Sequence, residues 1–95
     1  MSSLLRERYP LKFSQALHQL RIKSGKSRYR MARYSGVDES YILRLEKGQK
    51  VHPSRDVVIK LGLSLVHGDS NLDIWEIDAL LLAADHAPLD RRISL

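Results

Sequence analysis

Glu39, Ser40, Leu43, Arg44 and Lys47 fall at i, i+1, i+4, i+5 and i+8. That spacing gathers them on the outer side of a helix whose Ile42 and Leu45 face inward. Their chemistry is hydrogen bonding to flat polar edges. Arg44 can grip guanine O6 and N7 through two N–H groups, a contact worth roughly 1–3 kcal/mol of discrimination. No acid lies three or four residues from it, so an intrahelical ion pair does not account for it. Ser40 can bond several base edges and so discriminates weakly. Glu39 can accept from cytosine N4 but repels phosphate; as a plain surface residue it also suits the positive end of a helix dipole, and the two readings weigh nearly the same. Leu43 can touch a thymine methyl.

Cations flank this face. Arg28 follows Ser27 at the start of a short helix, where exposed backbone N–H groups add to an anion site. Lys47 at the end of the polar face, and Gln49, Lys50, His52 and Arg55 after it, can clamp a phosphate backbone. Each phosphate neutralised adds about −0.9 to the salt slope of binding. Arg21, Lys23, Arg30 and Arg33 are weaker candidates, with Arg30 and Arg33 read as solvated. Tyr29, Tyr34 and Tyr41 suit either a phosphate contact or half-buried packing. Charge is polarised along the chain: nine Lys/Arg against Glu7 in residues 1–36, four against four in 37–56, and three against six in 57–95. A polyanion would be drawn to the front of such a molecule, although a solvated basic face explains charge alone equally well.

These side chains need positioning. Phe13, Ala16, Leu17 and Leu20 recur at helical spacing and predict a first helix from about Leu11 to Gly25. Ser27 suits the N-cap of a second helix over 28–34, and Ser35 with Gly36 breaks it. Asp38 suits the N-cap of a third over 39–47, ended by Gly48. Residues 49–53 form a loop. Ser54 caps a fourth helix carrying Val57, Val58, Leu61 and Leu65; Gly62 within it costs about 1 kcal/mol relative to Ala and implies a close helix crossing. Ser70 with Asp73 reads as a capping box for a fifth helix running to about Ala84, and Pro88 prevents continuation. The second and third helices, joined tightly through Gly36, have the spacing of a helix-turn-helix, in which one helix braces and the next enters the DNA major groove.

The chain resembles the Cro-like, or Xre-type, repressor family over roughly residues 13–65. Phe13, Leu17, Leu20 and Arg21 look like its first helix, and Ser27 and Ala32 like the opening and crossing point of its second. Gly36 and Val37 resemble its turn; Ile42, Leu45, Glu46 and Gly48 resemble the end of its recognition helix; Pro53 and Ser54 look like the start of its fourth. Arg28 stands where the family commonly has Gln and can contact phosphate more strongly. Lys26 stands where an apolar residue is common; its stem is expected to cover the core edge with the ammonium left wet. The resemblance implies an all-α, compact five-helix lambda-repressor-like domain; the pattern along the chain sets an arm at 1–10, the DNA-binding domain at 11–85 and a tail at 86–95. It places base contacts at Glu39, Ser40 and Arg44, and it implies sequence-specific binding of double-stranded DNA by a transcriptional regulator, expected to be a repressor that blocks polymerase access.

Other classes are poorly supported. At 95 residues the chain has room for one modest core, which disfavours an enzyme with a deep cavity. It has no cysteine, hence no disulfide framework and no thiolate metal site. His18, His52, His67 and His86 are scattered without HxxxH or HExxH spacing, and no GxxxxGK[ST] or GxGxxG occurs, so neither a metal nor another cofactor nor a small-molecule ligand is expected. The absence of a secretory signal or a long apolar run fits a soluble cytoplasmic protein away from membranes. Trp75 and Leu82 lie off the inward stripe of the fifth helix. They either close the core or support a homodimer through that helix and the tail, reading half-sites about 34 Å apart. The competing function is a protein-interaction module on the same scaffold, an antitoxin-like partner or adaptor.

Overall fold

The computed structural model describes residues 12–50, 52–68 and 71–89. Within them the chain forms five helices and no strand: α1 (Phe13–Ser24), α2 (Arg28–Ser35), α3 (Glu39–Glu46), α4 (Arg55–Val66) and α5 (Trp75–Ala83). The expected arm at 1–10, the start of α1 at Leu11 and most of the tail lie outside the described residues. Helices α2, α3 and α4 begin where polar side chains take over free backbone donors. Ser27 Oγ accepts from Arg30 N–H at 3.1 Å, and Ser54 Oγ accepts from Val57 N–H at 3.2 Å. Asp38 Oδ2 accepts from the N–H groups of Ser40 and Tyr41 at 3.1 and 3.3 Å. At α5 the capping box falls on a different pair. Ser70 lies outside the described residues; Asp73 Oδ1 accepts from Trp75 N–H at 3.0 Å, while Glu76 Oε1 accepts from Asp73 N–H at 3.2 Å. The longer Glu side chain reaches back to Asp73, so Asp73 and Glu76 make reciprocal hydrogen bonds of the capping-box type ahead of α5.

One apolar core unites all five helices. Leu17 of α1, Met31 of α2, Ile42 and Leu45 of α3, Leu61 and Leu65 of α4, and Leu81 of α5 are fully buried. Helix α1 packs on α3, α4 and α5; α2 packs on α3 and α4; α4 packs on α5. The last of these contacts requires Gly62: a Cβ built there would lie 2.9 Å from Ile77 Cγ1 and 3.2 Å from Cγ2. The close crossing expected from sequence is therefore the α4–α5 contact.

Two links close the bundle. Lys26, expected to keep its ammonium in water, is buried, and Nζ donates to the carbonyls of Leu65 at 3.0 Å and His67 at 2.7 Å. The reason is the exposed carbonyl end of α4, whose partial negative charge holds a cation more favourably than the core edge alone. Burial is the main cause that lowers the Lys26 pKa, Arg30 lowers it further, and Tyr34 acts in the opposite direction. At the other end of α4, residues 86–89 fold back. His86 Nε2 donates to the Pro53 carbonyl at 2.8 Å, Leu89 N–H donates to Asp78 Oδ1 at 2.8 Å, and the Leu89 side chain packs against the core.

Candidate nucleic-acid interface

The turn between α2 and α3 sets the candidate surface. Gly36 adopts φ 76°, a left-handed conformation that other residues adopt only with strain, and its N–H closes α2 on the Ala32 carbonyl at 2.9 Å. Three residues later α3 begins, rolled so that Ile42 and Leu45 enter the core. Glu39, Ser40 and Arg44 are thereby exposed and Leu43 is half-buried. Arg28, Glu39, Ser40 and Leu43 line a shallow cleft of about 400 Å³. Arg44 makes no side-chain hydrogen bond or ion pair among the described residues, although its charge helps to hold the Asp38 carboxyl down. The Ser40 hydroxyl is engaged: it donates to Asp38 Oδ2, the same oxygen that caps α3. The Asp38 pKa is lowered chiefly by that hydroxyl and then by the Tyr41 N–H, so the cap is a carboxylate at neutral pH.

Behind α3 stands a buried ionic hub that sequence reasoning did not find. Glu46, on the last turn of α3, has a side chain only 2% exposed. Arg21 Nε donates to Glu46 Oε2 at 2.6 Å and Nη2 to Oε1 at 3.1 Å, a two-pronged grip from α1. Arg28 Nε donates to Oε1 at 3.1 Å, and His18 Nδ1 lies 3.1 Å from the same oxygen. Arg21 Nη1 also holds the Lys26 carbonyl at 3.2 Å. Burial alone would raise the Glu46 pKa. The hydrogen bonds from Arg21 and His18, with the charges of Arg21 and Arg28, outweigh it and leave the carboxyl below its ordinary value. Arg21 is thus committed to the interior, and Arg28 reaches the recognition surface while bound to Glu46. The available signal was the pair of opposite charges on two inward stripes, and it is weak without knowing which helices touch.

The remaining expected phosphate contacts fall into two groups. Lys47, Lys50 and His52 are exposed and line a cavity of about 600 Å³ with the start of α1, including Lys12, which was not singled out from sequence. Asp85 is the one acid among the residues lining it. Gln49 is exposed beside them, its N–H bound to the Arg44 carbonyl at 2.9 Å. Ser27 is exposed at the N-terminus of α2. Arg55 stands apart from this cavity; its Nε and Nη2 donate to the carbonyls of Ala87 and Pro88 at 3.3 and 3.1 Å. Arg30 and Arg33 each sit over a tyrosine one turn away, with Arg30 Nη2 donating to Tyr34 Oη at 3.0 Å and Arg33 Nη1 to Tyr29 Oη at 3.2 Å.

A family model described as Helix-turn-helix matches residues 17–62, which cover most of α1, all of α2 and α3, and most of α4. The segment belongs to the Cro/C1-type helix-turn-helix family. That family consists of DNA-binding transcription regulators, and its all-α architecture is the one described above. Comparison with curated proteins and with solved structures returned no match. Among the described residues, no helix is long and apolar enough to cross a membrane, and no group of three or more His, Asp or Glu could hold a metal ion.

Proposed function

We propose that this helix-turn-helix protein binds operator-like double-stranded DNA through the outer face of α3 and acts as a repressor. The observation that carries this reading is the exposed face of Glu39, Ser40 and Arg44 on a helix whose opposite face is locked into the core and whose end is anchored by Glu46. Arg44, with its guanidinium unengaged, is the guanine reader. Leu43, half-buried, meets a thymine methyl. Phosphates on one side are held by Ser27 and Arg28, with Glu46 holding Arg28 Nε at 3.1 Å. Lys47, Gln49, Lys50 and His52, joined by Lys12, hold the other side. Arg55 contributes there only by leaving its carbonyl partners.

A single α3 reads few base pairs, which favours a two-fold homodimer reading two half-sites. Trp75 at 61% exposure and Leu82 at 58% provide apolar surface on α5 for such a contact. A selection from random duplexes, repeated at two ionic strengths, tests the function. Enrichment of one motif with a steep salt slope is expected, and Arg44→Ala should relax preference at one position in each half-site. Equal, negligible affinity for all duplexes would sink the reading in favour of a protein-interaction role.

A further inference from the structure

The hydroxyl of Ser40 is usually a two-way group, able to donate or accept. Here its hydrogen is committed. It points to the Asp38 carboxylate, which also receives the N–H groups of Ser40 and Tyr41 and has no proton to offer. Turning the hydroxyl outward would exchange a charge-assisted hydrogen bond, about twice as strong as a neutral one, for a neutral bond to a base. The oxygen that Ser40 presents on the exposed side is therefore an acceptor. Its neighbour Glu39 carries a carboxylate, also an acceptor only. Both border the same cleft. Arg44, one turn further along α3, offers donors alone.

We infer that Asp38 acts as a positioning residue that makes Ser40 an acceptor, so that the start of α3 selects a base bearing an exocyclic amine in the major groove, cytosine or adenine, over guanine or thymine. Only cytosine N4 and adenine N6 offer hydrogens there; guanine O6 and thymine O4 would meet Ser40 and Glu39 lone pair to lone pair. The half-site therefore has a polarity: an amine-bearing base under Ser40, and guanine under Arg44. This polarity rests on α3 being the DNA-reading helix, as proposed above, and the experiment separates the two ideas.

Duplex selection is run on the wild-type chain and on Ser40→Ala, Ser40→Thr and Asp38→Asn. The wild type is expected to favour cytosine or adenine by about five- to tenfold at one position per half-site. Ser40→Ala should reduce that preference to what Glu39 alone supports and leave the Arg44 position intact. Ser40→Thr retains the hydroxyl and should restore it. Asp38→Asn keeps a good helix cap but replaces the obligate acceptor with an amide, so the preference should weaken with α3 still formed by circular dichroism. A keto-bearing base at the Ser40-dependent position, or a preference untouched by Ser40→Ala, overturns the polarity while DNA reading stands. No enriched motif for the wild type overturns both.

Discussion

Replacing Glu46 with glutamine keeps the shape of the side chain and removes its charge. The consequences follow from the geometry of the hub. Three side chains converge on two oxygens that are almost fully shielded, and the Arg21 side chain is itself only 10% exposed. After Glu46→Gln, Arg21 stays in the interior with no carboxylate, and the amide nitrogen faces a guanidinium. Breaking a buried ion pair at one partner costs about 3–5 kcal/mol. Arg28 and His18 are 33% and 49% exposed and can turn to water, which places the loss near the lower end, about 3 kcal/mol. Native domains are stable by roughly 5–15 kcal/mol, so the variant should fold but unfold early. With a urea m-value of about 1–1.5 kcal/mol/M, its midpoint should fall by roughly 2–3 M. The acid limb provides a second readout. Glu46 is lowered in the folded state from an ordinary value of 4.5. Its contribution is therefore fully present above that value and is lost as pH falls through the lower folded value. Glu46→Gln should flatten this part of the stability–pH curve. The flattening is partial, because Asp38, also lowered, retains its own share. A loss below about 1 kcal/mol at neutral pH, or an acid limb superimposable on that of the wild type, would refute the reasoning.

Gly62→Ala should destabilise by about 1–2 kcal/mol despite the usual helical advantage of alanine, because its Cβ would meet Ile77. Ile77→Ala in that background should show a favourable coupling of at least about 1 kcal/mol in a double-mutant cycle, and strict additivity would exclude the steric explanation. Lys26→Met keeps the stem but removes the donor to the Leu65 and His67 carbonyls. The expected loss is about 1–2 kcal/mol, seen as a melting temperature lower by roughly 5–15 °C; an unchanged melt would mean that the ammonium adds nothing to the α4 terminus. Lys50→Ala should weaken all duplexes alike and reduce the magnitude of the salt slope by about 0.9, whereas a change confined to one sequence would assign Lys50 to base reading.

Local pattern was enough for the helices and for much of the candidate face. Ser27, Asp38 and Ser54 cap helices because a short polar side chain can reach its own nearby N–H groups, a relation contained within four residues of sequence. Ile42 and Leu45 turn inward because helical periodicity puts them on one stripe, which leaves Glu39, Ser40 and Arg44 outside. Gly62 announced a close crossing but not its partner, since Ile77 belongs to another helix. Asp73 is legible as a residue of the α5 start, whereas its bond to Glu76 shows only in the folded chain.

Long-range electrostatics were decided by the tertiary structure alone. The sequence makes Arg55 a phosphate clamp, Arg21 a weaker candidate for the same role and Lys26 a core-edge stem with a wet ammonium, and it names an internal partner for none of them. Packing α1 against α3 makes Arg21 the partner of Glu46, 25 residues away. Bringing the start of α2 to the end of α4 gives Lys26 two carbonyls, and folding back residues 86–89 gives Arg55 two more. Propensity and periodicity are properties of neighbouring residues and survive in the linear chain. The partner of a charge depends on which surfaces the core brings together, and that is settled only when all five helices are in place.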